Sequence, residues 1–347
     1  MISRVGERLR LRLLVSLLAV ATLLSCSARD ESFVVVYTSV DEVFARPIAE
    51  LFEKRTGIEV RLVPDTEETK STGLLNRLIA EKERPQADVF WSGDPVRAAV
   101  LKRRGVSAPY RPANPADTRS QYSDPEGHWS ALSARARVVL YNLQAVDAAE
   151  ATGDLESFLD PKWMGRACVA NPLFGTTSMH AAALFEVLGD EQAKTFFEGL
   201  RTNGVHMLSS NGEVKRQVAS GQCAFGLTDT DDARVAIQEG KPVLMRYADA
   251  GGRGTLIVPN VAVLIAGAPH PEVARRFIDF LMTPDVERAL AESPAGQMPL
   301  RPGVTVPHGV DPVADIAAMP VNYEKLAVHL EGLSRGWLKE WADTMTR

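Results

Sequence analysis

From Phe33 to Arg104 the chain alternates three times between a short apolar run and an amphipathic helix, and few folds accept that pattern. Phe33-Val34-Val35-Val36-Tyr37 is a continuous, mostly β-branched run. Such a run reads as a parallel strand buried on both faces. The loop Thr38-Ser39-Val40-Asp41 follows it. The spacing of Phe44, Ile48, Leu51 and Phe52 then predicts a helix over Glu42–Thr56, with Gly57 as its stop. Ile58–Val63 is the next strand, and Lys70–Lys82 a helix carrying Leu74, Leu75, Leu78 and Ile79. Asp88-Val89-Phe90-Trp91 is a third strand, turned by Ser92-Gly93-Asp94-Pro95 into a helix through Arg104. Strands joined in this way by helices form a parallel, doubly wound α/β sheet.

A second alternation starts at Ala167–Ala170. Asn171 to Ser178 opens a helix through Leu188, and a helix over Gln192–Thr202 precedes a strand at Val205–Leu208. Val214–Ser220 is helical and Cys223–Leu227 is a strand. Two extended segments join the alternations. Ser133–Asn142 carries Arg135 and Arg137 at alternate positions, which is unusual for a core strand and suits a crossover. Leu256–Ala266 is the apolar return, followed by helices at Pro271–Met282 and Pro284–Ala291 and a helical tail after Ala314. The expected organisation is two lobes, 33–137 with 258–313 and 138–257 with 314–347, hinged so that closure traps a ligand between them.

Ligands of open α/β sheets bind at the carboxyl ends of the strands. At one such end stands Leu227-Thr228-Asp229-Thr230-Asp231-Asp232-Ala233. Helix capping accounts for one or two of these side chains, not for three carboxylates and two hydroxyls. Thr228, Asp229, Asp231 and Asp232 are therefore candidate ligand contacts, suited to a cation or to a solute rich in hydrogen-bond donors. Thr38, Ser39 and Asp41, and Trp91 with Ser92, stand at other strand ends and join them. Gly175-Thr176-Thr177-Ser178 opens a helix whose free N–H groups and dipole suit an anion.

The first 25 residues read as an export signal, with Arg4, Arg8, Arg10 and Arg12 before the apolar stretch Leu13–Leu24. Leu23-Leu24-Ser25-Cys26 resembles a bacterial lipobox, which implies cleavage before Cys26, acylation of its thiol and a short tether over 26–32. Removal of 1–25 leaves 35 basic and 43 acidic residues, a net charge of −8. No basic block interleaved with aromatics is present, so nucleic acid is excluded as a partner. The six histidines lack zinc-ligand spacing, and there is no P-loop or nucleophile elbow, so an enzyme is not expected. Cys168 and Cys223 lie in apolar runs, as two buried thiols or, if their strands are neighbours, as a disulfide.

The wording and order of several blocks carry a resemblance. They are Val35-Val36-Tyr37-Thr38-Ser39, Pro85–Ser92, Leu132–Tyr141, Pro161–Arg166, Gly212-Glu213-Val214 with Val218–Gly221, and Met298–Pro302. Together they resemble the periplasmic solute-binding proteins of ABC importers, of the ferric-iron-binding type within bacterial extracellular solute-binding family 1. The resemblance implies a two-lobed type II periplasmic-binding-protein fold, a monomer and no catalytic activity. It implies a permease and an ATPase as partners and a lipid-anchored position on the periplasmic side of the envelope.

Carried onto this sequence, the iron-binding positions of that family fall on Asp41, Glu81, Asp231 and Asp232, the last two standing where relatives have a pair of tyrosines. An all-carboxylate set suits a hard cation such as Fe³⁺. It equally suits an ammonium group. The family's anion site falls on Gly175, Thr176 and Thr177, with Asn211 and either Arg135 or Arg137; Asp229 replaces a neutral amide. The expected cargo is ferric iron or another hard cation, with or without a small anion, and no resident cofactor. A small organic cation or phosphonate-type solute (thiamine, a polyamine, an aminophosphonate) is the alternative. A sensing module without transport, or a metal-dependent enzyme, are readings of another class.

Overall fold

The computed structural model describes residues 32–65, 72–113, 121–301 and 303–345. The expected leader over 1–25 and acylation at Cys26 lie outside the described residues. In chain order the first elements are β1 (Phe33–Thr38), α1 (Glu42–Thr56), β2 (Glu59–Pro64), α2 (Thr72–Ala80), β3 (Val89–Ser92), α3 (Pro95–Arg103), β4 (Ser107–Ala108) and β5 (Ser130–Asn142). Next come β6 (Ala167–Ala170), α4 (Gly175–Leu188), α5 (Asp190–Thr202), β7 (His206–Leu208), α6 (Asn211–Ala219), β8 (Phe225–Asp229), α7 (Thr230–Gln238), β9 (Val243–Tyr247) and β10 (Ile257–Ile265). The chain ends in α8 (Pro271–Leu281), α9 (Pro284–Glu292), α10 (Tyr323–Leu333) and α11 (Trp337–Met345).

The strands order as β2-β1-β3-β10-β5-β8-β6-β7, with β4 beside β10 and β9 beside β5. β1 pairs in parallel with β2 and β3, and β6 with β7 and β8, as the two alternations predict. β5 joins the two halves. Its residues as far as Ala136 pair antiparallel with β10, and from Arg137 onward they pair with β8 and β9. The two arginines that marked this strand as a crossover sit at the handover itself. β9 has no counterpart in the sequence pattern: Leu244, Met245 and Tyr247 are only partly buried and Arg246 is exposed, so it lacks the long apolar run that reveals a core strand.

Each half has its own core. Phe90 and Trp91 of β3 are fully buried in the first, where Phe52 meets Phe277 edge-on at 5.1 Å. In the second, Phe225 is enclosed by Tyr141, Phe158 and Trp163 at 5.4, 4.9 and 5.4 Å. Burial of each such ring contributes about 1.5–3 kcal/mol. It also fixes β8, whose far end is Asp229. Gly226 admits α6 against β8: a Cβ there would stand 2.6 Å from Val214 Cγ1 and 2.9 Å from the Cys168 carbonyl oxygen. The expected assignment of 314–347 to the second lobe is corrected in part. Tyr323, Leu326, Ala327 and Leu330 of α10 pack into the first core, and only Leu338, Trp341 and Ala342 of α11 into the second. The apolar face of α10 lies against α3 of the first half and α4 of the second, so this helix spans the two.

Candidate functional site

Loops at the carboxyl ends of β1, β6, β7 and β8 converge on a narrow cleft open to solvent. The first half contributes Ser39, Asp41, Phe44, Asn260 and Gln297. The second contributes Gly175, Thr176 and Thr177 at the start of α4, Ser210 and Asn211 at the start of α6, and Asp229, Asp231 and Asp232 between β8 and α7. Arg135 of β5 forms its floor.

Asp229 is the hub. Its Oδ1 accepts Arg137 Nη1 at 2.6 Å. Its Oδ2 accepts Thr176 Oγ1 at 2.6 Å, Asn211 Nδ2 at 3.1 Å and Arg135 Nε at 3.2 Å. Burial alone would push this carboxyl up, yet Arg137 and Arg135 outweigh it and hold the group below its ordinary value. Arg137 is fully buried and donates further to the Thr176 and Thr177 hydroxyls at 3.0 and 3.3 Å and, through Nε, to His180 Nδ1 at 3.4 Å. It therefore braces the start of α4 from behind rather than facing the cleft. Beside it, burial and then Arg137 keep His180 well below its ordinary value, a neutral imidazole.

Asp231 has a different environment. Its Oδ2 accepts Gln297 Nε2 at 3.4 Å and lies 3.7 Å from Arg135 Nε. Burial, only partly opposed by Arg135 and reinforced by Asp229, Asp232 and Asp41, pushes its carboxyl up to about 7. Asp232 accepts the Thr228 hydroxyl at 3.1 Å and lies 3.7 Å from Lys215 Nζ. Asp231, the carboxyl that reaches Gln297 of the first half, is thus one from which an arriving cation would displace a proton near neutral pH.

The start of α4 has no side-chain cap. The hydroxyls of Thr176 and Thr177 are engaged with Asp229 and with Asn211. The backbone N–H groups of Gly175, Thr176 and Thr177 carry the positive end of the helix dipole into the cleft wall. Gly175 has φ 53°, a conformation that costs other residues about 1–2 kcal/mol.

Among the expected site residues, Ser39, Asp41, Arg135, Gly175, Thr176, Thr177, Asn211, Asp229, Asp231 and Asp232 line this one cleft. Others do not. Trp91 is fully buried in the first core, and Ser92 closes a turn by donating to the Asp94 carbonyl at 2.7 Å. The Thr38 hydroxyl donates to the Trp91 carbonyl at 3.0 Å. Thr228 and Arg137 are buried supports. Glu81 lies away from the cleft, taking Arg77 Nε at 2.8 Å and the Tyr37 hydroxyl. Tyr37 is in turn pushed up to about 12 by burial and by Glu81. The expected quartet of metal ligands is thereby corrected, because Glu81 is already committed to a cation. Among the described residues no group of three or more His, Cys, Asp or Glu side chains is disposed to hold a metal ion.

Five polar contributors carry no site signal in the sequence pattern: Asn171, Ser209, Ser210, Asn260 and Gln297. Asn260 comes nearest to one, as the lone polar side chain in Ile257–Ile265. It accepts Arg135 Nη1 at 3.0 Å and donates to Gln297 Oε1 at 2.7 Å.

Two half-sheets joined through a shared strand, with a polar cleft between their strand ends, define a two-lobed solute-binding protein of the type II class. The chain belongs to the bacterial extracellular solute-binding protein family, whose model matches residues 33–293. It is a binding protein, not an enzyme, and relatives named as periplasmic proteins are among those it resembles. It is 26% identical over 302 residues to iron uptake protein A1 of Synechocystis, covering 84% of this chain and 80% of that one. It is 27% identical over 342 residues to a putative 2-aminoethylphosphonate-binding periplasmic protein of Salmonella typhimurium, covering 95% and 93%. Iron-bound HitA from Pseudomonas aeruginosa shares the fold at a TM-score of 0.77 and 22% identity, covering 87% of this chain and 98% of that chain. AfuA from Actinobacillus pleuropneumoniae, holding fructose-6-phosphate, does so at 0.76 and 20%, covering 88% and 98%.

Proposed function

We propose that this protein is the receptor of an ABC importer and captures a small solute by its positive charge, with any negative part of the solute taken by the start of α4. The observation that carries this reading is the disposition of the cleft: carboxylates of Asp41, Asp231 and Asp232 share it with the uncapped start of α4. The solute then passes to a permease and its ATPase, and acylation at Cys26 holds the receptor at the membrane on the periplasmic side.

Ferric iron accompanied by a small anion is the first reading, and it requires Asp41 to be brought up to Asp231 and Asp232, since among the described residues no three such side chains are gathered for a metal ion. Carboxylates are hard donors, and several relatives are named for iron. An aminoalkylphosphonate is the second reading, and a specific observation favours it. Arg135 already stands beside both Asp229 and Asp231. The residual negative charge is then better matched to an ammonium group than to a trivalent ion. The relative named for 2-aminoethylphosphonate aligns with nearly the whole chain.

The test is native mass spectrometry with metal analysis on protein purified from its own host, followed by thermal melting with Fe³⁺ plus phosphate and with 2-aminoethylphosphonate. A solute present at 100 times its Kd stabilises by about 2.7 kcal/mol. Stabilisation by either probe supports the reading; no shift with both overturns it.

A further inference from the structure

We propose that Cys168 and Cys223 are joined by a disulfide in the exported protein, and that this bond ties together the two strands whose ends carry the ligand site. Both thiols are free and buried in the structure. They share one small core cluster with Val138, Leu140, Val214 and Val218. Cys168 lies on β6, in register with Gly226 of the parallel β8. Cys223 lies just before β8, where its own N–H donates to the Gln217 carbonyl at 3.1 Å and the following N–H donates to the Arg166 carbonyl at 2.7 Å. The strand neighbourhood that a bridge requires is therefore present, and Cys168 Sγ already points at β8, donating to the Phe225 carbonyl at 3.7 Å.

The two thiols are unequal in a way that orders the chemistry. Cys223 borders a surface cavity of about 310 Å³, lined also by His206, Gln217 and Gln222. The Cys168 side chain nearby holds Cys223 below its ordinary value, whereas burial pushes Cys168 up. The thiolate is the attacking species. The Cys223 thiolate attacks the disulfide of a donor, a dithiol–disulfide oxidoreductase of the exported compartment, and expels one donor thiolate. Cys168, on losing its proton, then displaces the second. The pair gives up two protons and two electrons, and the donor disulfide is reduced to two thiols.

The bond would sit directly behind the site. β6 leads to Asn171 and the start of α4, and β8 ends at Asp229. Fixing Cys168 to Cys223 sets the spacing of these two ends independently of solute. The test is made on the full chain recovered from the envelope, unfolded in guanidinium and alkylated without reduction, then digested and mapped. The expected result is a linked pair of peptides containing Cys168 and Cys223, neither alkylated, that separates on reduction. Alkylation of both residues without reduction overturns the proposal, as does a bridge from either one to any other thiol.

Discussion

Replacing Asp229 with asparagine keeps the size of the side chain and removes the charge on which two buried arginines depend. Arg137 Nη1 lies at 2.6 Å and Arg135 Nε at 3.2 Å, and the carboxylate is almost wholly buried. At an effective dielectric of about 20 and a separation of about 4 Å, each lost attraction is roughly 4 kcal/mol. The variant also escapes the cost of burying the carboxylate, several kcal/mol, so the net destabilisation is about 3–5 kcal/mol. Calorimetric melting should register this as a fall in Tm of about 6–20 °C. The gap is pH-dependent. The Asp229 carboxyl is held below its ordinary value, so its contribution is present above the unfolded value of about 4 and is lost as pH falls through the folded value. The difference between wild type and variant should therefore close on acidification. A Tm lowered by less than about 2 °C at neutral pH would refute the view of Asp229 as the counter-ion of both arginines.

Asp231→Asn should weaken binding of whichever probe stabilises the wild type by at least about tenfold, the worth of one charge-assisted contact of about 1.5–3 kcal/mol. Because the Asp231 carboxyl is raised to about 7, its contribution to stability is present below the unfolded value and is lost as pH rises through about 7. The apo variant should accordingly melt higher than the wild type at pH 8. A cation competes with the same proton, so wild-type affinity should fall as pH drops below about 7 and be flat in the variant; titration calorimetry across that range checks both. Glu81→Gln should leave affinity within about twofold in equilibrium dialysis, since Glu81 is bound to Arg77 and Tyr37, and a large loss would return it to the site. Gly175→Ala should lower stability in urea unfolding by about 1–2 kcal/mol through its positive φ and weaken binding of a phosphate-bearing solute by shifting the amides of α4.

Most of this architecture is legible in local patterns. Continuous apolar runs such as Val34–Val36 and Val261–Ile265 can only be core strands, and arginines at 135 and 137 within a strand marked the passage between halves. The acidic cluster at 229–232 was legible because capping could not absorb so many carboxylates. What the chain hides is which side chains consume one another. Nothing local distinguishes Asp229, saturated by four donors, from Asp231, which is held up by burial two residues later. Glu81 and Trp91 were misplaced for the same reason: a helix-end carboxylate and a strand-end indole look alike whether they face a cleft, a neighbouring arginine or the core. Gln297 comes from a loop without periodicity, reaching Asp231 only because Asn260 holds its other end.

The central claim is that carboxylates on the two walls of the cleft hold the solute's positive charge. Calorimetric titration of the full chain, freed of co-purified solute, tests it most directly when Fe³⁺ with phosphate and 2-aminoethylphosphonate are each titrated into the wild type and into the Asp41→Asn/Asp231→Asn double variant. The account predicts saturable one-to-one binding of at least one probe to the wild type and a loss of about a hundredfold or more in the variant, with melting showing the variant still folded. Binding that survives unchanged in the double variant, or no binding of either probe to the wild type, would contradict it.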